Sequence, residues 1–111
     1  MKRLWFAFFY SLDGLVVAWR EEAAFRQEVI FSVICIPLAI IIAPSAVSRA
    51  LMIGSILIVL VVELLNTAVE AVVNRVGLNH DSLAKKAKDT ASAAVFVALI
   101  NAATIWLIFL V

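Results

Sequence analysis

The chain has 111 residues, of which 66% are apolar and 15% charged, with nine Lys and Arg against eight Asp and Glu, a formal net charge of +1. That apolar share exceeds what a soluble domain of this size hides, so lipid is the expected solvent. The near-balance of charge and the absence of a basic run or RNA-binding motif argue against a nucleic-acid partner.

The N-terminal stretch carries a basic pair, Lys2 and Arg3, followed by aromatics. Ser11 and Asp13 break its apolar run and no small-residue cleavage site follows, so it does not read as a secretory signal. On a helical wheel Leu4, Trp5, Phe8, Leu12, Leu15, Val16 and Trp19 fall on one arc, away from Lys2, Arg3, Asp13, Arg20 and Glu21. This pattern predicts an amphipathic helix over about residues 1–22, lying in the membrane interface with its tryptophans at the headgroup level.

Three long apolar stretches follow, about 25–43, 50–73 and 90–111. Each is near the roughly 20 residues that a helix needs to cross a bilayer. The expected fold class is therefore an all-α membrane protein, one membrane domain over 1–111. The first span contains Pro37 and ends at Pro44, and the short connector Pro44 to Ser48 predicts an antiparallel hairpin with the second. Cys35, the single cysteine, sits inside the first span as a packing residue. Gly77 is the expected C-cap of the second span, Asn79-His80-Asp81-Ser82 an exposed turn, and Asp89 a candidate N-cap for the third. Lys2, Arg3, Arg20 and Arg26 before the first span, and Arg75, Lys85, Lys86 and Lys88 between the second and third, outnumber the lone Arg49 of the first connector. The positive-inside rule then makes the N-terminus and second connector cytoplasmic.

Against this background Glu63 and Glu70 stand out. With Asn66 between them they fall at i, i+3 and i+7, one helical face inside the second span. An ionisable group near the bilayer centre costs roughly 2.5 to 3.5 kcal/mol, so such carboxylates must face a partner, a cavity or a cation. The bland alternative is a protonated Glu63 that hydrogen-bonds between helices. Glu21, Glu22 and Glu28 sit at the same depth as Glu70 if the hairpin is antiparallel. Carboxylates converging there suit a hard cation such as Mg2+. Glu21 taken alone reads as solvated surface charge, while Lys88 reads as a positive-inside anchor and His80 as a loop residue. The three glycines form no Walker A loop and no kinase glycine loop, so a nucleotide must be held by side chains. Asn101, a lone polar residue in the third span, is expected at an interhelical contact.

Three segments in order, Glu22-Ala-Ala-Phe-Arg-Gln-Glu28, Val62-Glu-Leu-Leu-Asn-Thr-Ala-Val-Glu-Ala-Val-Val73 and Ala87-Lys-Asp-Thr-Ala-Ser-Ala-Ala94, closely resemble the bacterial membrane diacylglycerol kinases. The resemblance covers nearly the whole chain. It implies three spans plus a surface helix, assembled as a homotrimer in the bacterial inner membrane with active sites shared between subunits. It also implies transfer of the ATP γ-phosphate to diacylglycerol, giving phosphatidate, with Mg2+. On it, Glu63 matches the catalytic base, and Glu22 and Glu70 match the metal-binding carboxylates. Lys88, Asp89, Asn79 and His80 fall at nucleotide-contacting positions, and Arg3 and Tyr10 where the N-terminal helix approaches nucleotide and lipid. Ser11, Arg26, Gln27, Glu28 and Asn66 fall around the lipid site. Asn74, Asp13 and the Leu78-Asn79-His80 turn depart from the family pattern, which touches the adenine-side contacts and lipid positioning. An undecaprenol kinase of the same superfamily is the closest alternative. A small proton-coupled transporter would account for Glu63 but not for Glu22, Glu28 and the Lys88-Asp89 pair, and a purely structural subunit would account for none of them.

Overall fold

The computed structural model describes residues 2–77 and 82–111. Among the described residues the chain forms four helices: α1 (Lys2–Glu21), α2 (Ala23–Ile42), α3 (Ala46–Val76) and α4 (Ser82–Leu110). The last three are long and apolar enough to cross a membrane, and their outward faces are apolar: Ile30, Val33 and Ile34 on α2, Leu57, Ile58 and Val61 on α3, Phe96, Ile100 and Leu107 on α4. The protein is thus an all-α membrane protein. In α1 only Ala18 is buried, while Leu4, Trp5, Phe8, Leu12 and Trp19 stay exposed. That is the surface expected of a helix whose apolar arc faces lipid headgroups rather than a protein core.

The helices extend beyond the apolar runs. Hydropathy marks the lipid-facing part, whereas backbone hydrogen bonding continues until a residue stops it. Helix α3 begins at Ala46, so the connector is shorter than the Pro44 to Ser48 segment. It is started by a capping box in which the Ser45 side chain accepts from the Ser48 N–H and the Ser48 hydroxyl accepts from the Ser45 N–H. It stops at Gly77, whose φ of 95° suits glycine and whose N–H bonds the Val73 carbonyl. Helix α4 begins at Ser82, which corrects the reading of Asp89 as a cap. Asp89 lies two turns inside the helix, where its carboxylate pairs with Lys85 one turn back, at 2.6 Å.

Packing is most extensive between α3 and α4, then between α2 and α3. Small residues allow the approach. Val59 meets Ala98 and Ala102 mid-span, while Ala39, Ala43 and Met52 pack with Ile53, Ile105, Trp106 and Phe109 towards the α2–α3 turn. Trp106 Nε1 donates to the Met52 carbonyl at 3.1 Å, which ties α4 to α3 at this level.

Each turn between neighbouring helices at the start of the chain is held by an arginine. Arg49, in the first turn of α3, reaches back so that its Nε donates to the Ile40 carbonyl at 3.1 Å and one terminal nitrogen to the Ala43 carbonyl at 3.5 Å. Arg26, in the first turn of α2, does the same for α1: one terminal nitrogen donates to the carbonyls of Trp19 at 2.8 Å and Arg20 at 3.0 Å. In both cases a guanidinium satisfies carbonyls that a helix end leaves without partners. Arg49→Ala is expected to destabilise the protein by about 1.5 to 3 kcal/mol, the range for hydrogen bonds to a charged group. The thermal unfolding midpoint in detergent checks this, and Arg49→Lys should recover part of the loss.

Candidate active site

One residue, Glu22, separates α1 from α2. Its backbone is extended, with φ −113° and ψ 105°, and its carbonyl accepts from the Arg26 N–H at 3.1 Å while its own N–H donates to Ala18. The chain therefore bends at the residue that the family resemblance assigns to metal binding. Arg26 straps the bend from the α2 side. Glu28 lies six residues further along α2 and faces α3.

On α3, Glu63 is buried, 6% exposed. Its carboxyl is within hydrogen-bonding reach of the Glu28 carboxyl, and Glu70 and Glu22 are close enough to act on its charge. The structure thus brings together the four glutamates from the α1–α2 bend, α2 and α3. Glu70 is oriented by Asn66, whose Nδ2 donates to Glu70 Oε1 at 3.2 Å. Two acceptors in this group are buried without a hydrogen-bond partner, Glu28 Oε2 and Asn66 Oδ1. Like charges this close repel when all are ionised. The cluster is therefore built to receive something positive or something that donates hydrogen bonds.

Among the described residues no three His, Cys, Asp or Glu side chains converge as a protein-only cage. Mg2+ does not require one: it is usually held by one or two carboxylates together with waters and substrate phosphates. Glu22 and Glu70, both half-buried and both near Glu63, are a donor set of that kind.

Other expected site residues are placed differently. Arg3, Tyr10, Ser11 and Gln27 are exposed, and the Ser11 hydroxyl donates to the Ala7 carbonyl of its own helix. Lys88 is half-buried on α4, and Asp89 is engaged with Lys85. Asn79 and His80 lie outside the described residues. Arg26 is spent on the elbow, a role its sequence context did not suggest, because the carbonyls it caps lie six and seven residues earlier, across a bend that hydropathy does not mark. The Glu28–Glu63 contact was also not legible in advance. It depends on the register between α2 and α3, which the short Ser45 turn sets.

A helical membrane protein with a carboxylate cluster at one end of its spans is the class that fold and site define. Sequence comparison narrows it. A profile of prokaryotic diacylglycerol kinase matches residues 9–110. The chain is 50% identical over 106 residues to the diacylglycerol kinase of Pseudomonas aeruginosa, covering 96% of this chain and 86% of that one. It is 45% identical over 101 residues to that of Escherichia coli K12, covering 91% and 83%, and 48% identical over 105 residues to that of Helicobacter pylori 26695, covering 95% and 82%. The chain belongs to the prokaryotic diacylglycerol kinase family.

The elbow carries a direct expectation. Arg26→Gln removes both bonds to the α1 carbonyls, so the peptide bond after Arg20 should be cut by trypsin about tenfold faster in detergent, since local opening governs such cleavage. An unchanged cleavage rate would mean that the bend is held without Arg26.

Proposed function

We propose that the chain transfers the γ-phosphate of ATP to the free hydroxyl of diacylglycerol, giving phosphatidate and ADP, at the cluster formed by Glu22, Glu28, Glu63, Asn66 and Glu70. The family supports the lipid substrate. The observation that carries the site is the pair of buried acceptors without partners, Glu28 Oε2 and Asn66 Oδ1, beside buried Glu63. A lipid alcohol brings an O–H donor to such a place, and it does so from within the bilayer.

Glu63 serves as the general base. Its carboxylate accepts the hydroxyl proton while the lipid oxygen forms its bond to the γ-phosphorus and the bond from that phosphorus to the β,γ-bridging oxygen breaks, leaving ADP. Glu28 and Asn66 orient the hydroxyl, and Asn66 also holds Glu70 in place through its amide N–H. Glu22 and Glu70 would hold Mg2+, which when bound would supply positive charge against the phosphates. Packing around Glu63 keeps water from competing with the lipid hydroxyl for the phosphoryl group. Lys88 and Asp89 on α4, Arg3 and Tyr10 on α1, and Asn79 and His80 are assigned to the nucleotide, with Ser11, Arg3 and Gln27 on the lipid side and Arg26 acting there through the elbow it holds. No feature of the fold favours the proton-coupled transporter reading, which leaves the acidic elbow unexplained.

The protein is placed in the bacterial inner membrane with its N-terminus and the α3–α4 connection on the cytoplasmic side, where Mg-ATP arrives. That orientation is supported by the Lys and Arg distribution. A homotrimer with sites shared between neighbours is what the family resemblance implies, and Asn101, polar and exposed within the third apolar helix, offers an amide for a hydrogen bond to another chain.

Purified protein supplied with Mg-ATP and diacylglycerol is expected to form labelled phosphatidate. Glu63→Gln should lower kcat by about a thousandfold, the size of contribution a positioned general base makes. Glu22→Gln and Glu70→Gln should each raise the Mg2+ concentration needed for half-maximal rate by about tenfold or more. Full turnover by Glu63→Gln would remove it from the base role, and label appearing only on undecaprenol would overturn the lipid assignment.

A further inference from the structure

Two polar groups on the lipid-facing surface have no partner within the chain. Pro37, inside α2, has no N–H, so the Val33 carbonyl one turn earlier loses its helical donor. Ser32 beside it does not replace that donor, because its hydroxyl bonds the Glu28 carbonyl at 2.7 Å. Arg26 and Arg49 reach other carbonyls. Val33 and Pro37 both lie on the outward face of α2. The second group is the Asn101 amide, exposed on α4 and without a hydrogen bond among the described residues.

The two groups lie at one depth. Glu28 meets Glu63 at one end of the α2–α3 pair, and Ala39 packs with Met52 towards the other. In an antiparallel pair, five residues in from the first contact and six in from the second, Val33 stands level with Ile58. Ile58 in turn shares a groove with Asn101, a cavity of about 510 Å³ lined by α3 and α4 and including Val62, Ala94 and Ala98. The carbonyl and the amide therefore fall within about one helical turn, ~5.4 Å, of each other along the membrane normal.

They lie on different faces. No residue of α2 lines the groove of Asn101, and the sides of α3 and α4 that line a cavity with α2 carry Ile56, Val59, Ala102 and Ala103 instead. One copy does not join them. Copies related by rotation about the membrane normal keep every residue at its own depth, so a donor at this level in one copy meets acceptors at this level in the next. A contact between two different faces is head-to-tail, and it closes into a ring. In an unbroken helix each interior carbonyl is taken by the amide four residues on. The proline is what leaves one free.

We propose that the Asn101 amide of one copy donates to the Val33 carbonyl of the neighbouring copy, with the α2 face around Pro37 seated in the groove between α3 and α4. The proposal rests on the assembly of identical copies given above and adds which faces meet. Pro37 and Asn101 form a matched pair: the proline frees an acceptor in a surrounding that offers no water, and the amide fills it. Between helices in lipid, packing and such a bond supply the association that removal from water supplies elsewhere.

The full-length chain carrying Cys35→Ala, in phosphatidylethanolamine–phosphatidylglycerol bilayers, is oxidised with copper phenanthroline as double-cysteine variants. Asn101→Cys with Val33→Cys is expected to give a ladder of covalently joined copies. Either cysteine alone is not, and neither is Asn101→Cys with Leu57→Cys, which lies on the outward face of α3. A ladder from the Leu57 pair in place of the Val33 pair seats a neighbour's α3 in the groove and overturns the proposal. An assembled chain with no Val33 ladder overturns this contact alone, whereas a chain that stays a single copy by native mass spectrometry defeats the assembly reading as well.

The hydrogen bond has its own readout, the rate at which fluorescently labelled copies exchange between assemblies in detergent. Asn101→Leu should raise that rate by about fivefold or more, the size of one interhelical hydrogen bond in lipid. Pro37→Ala returns an N–H to the Val33 carbonyl, so in that background Asn101→Leu should change the rate by less than about twofold. An equal effect in both backgrounds separates Asn101 from Pro37 and overturns the pairing.

Discussion

A carboxyl group cannot sit among hydrocarbon side chains without an answer to its charge, and the rest of this molecule is arranged around that requirement. Glu63 is buried on a helix whose flanking runs are apolar, at a cost of some kilocalories per mole when unpaired. The answer comes from other parts of the chain: Glu28 from α2, Glu70 two turns further along the same face of α3, and Glu22 from the bend before α2. All three are themselves acidic, which moves the demand rather than meeting it. A cluster built from like charges is stable only as a receptor for protons, cations or donors. It is a site because it is incomplete.

The same economy governs the backbone. Lipid provides no hydrogen bonds, so helix ends near it must be closed by the protein. Ser45 and Ser48 close the start of α3, Gly77 closes its end, and Arg49 and Arg26 reach back over the two turns to the last carbonyls of the preceding helices. Arg49 explains an exception in the charge pattern: the lone cation near the α2–α3 turn is retained because α2 ends there with exposed carbonyls, and Pro37 has already removed one N–H from that helix. Arg26 couples this structural closure to the cluster. By capping α1 it sets the bend at Glu22, so the direction of the surface helix and the position of one carboxylate are a single variable.

How much of this was readable from the amino acids depends on the range of the interaction. Hydropathy over some twenty residues is a one-dimensional signal, and it located α2, α3 and α4 and separated α1 from them. The shared face of Glu63, Asn66 and Glu70 follows from helical periodicity, and the Asn66 to Glu70 bond bears it out. Gly77 was legible as a stop because a positive φ favours glycine. Asp89 has the sequence context of a cap, because the apolar run begins after it, yet the helix begins at Ser82 and hydropathy does not see a polar first two turns. The Glu28–Glu63 contact and the straps of Arg26 and Arg49 depend on how the helices are set against each other, and no single-helix pattern encodes that.

The register between α2 and α3 accordingly carries the chemistry. It is fixed far from the cluster, at the Ser45 turn, where a capping box, the Arg49 strap and the packing of Ala39 and Ala43 against Met52 leave little freedom. A shift of one residue on α3 would rotate Glu63 by about 100° and carry it from Glu28 towards lipid. The apolar end of the hairpin therefore sets the geometry of the charged end, about 20 Å away along helices that are rigid because every interior amide is satisfied within them. That division of labour allows the charged end to keep acceptors without partners: the structure does not depend on them for its stability, and they remain available to a substrate.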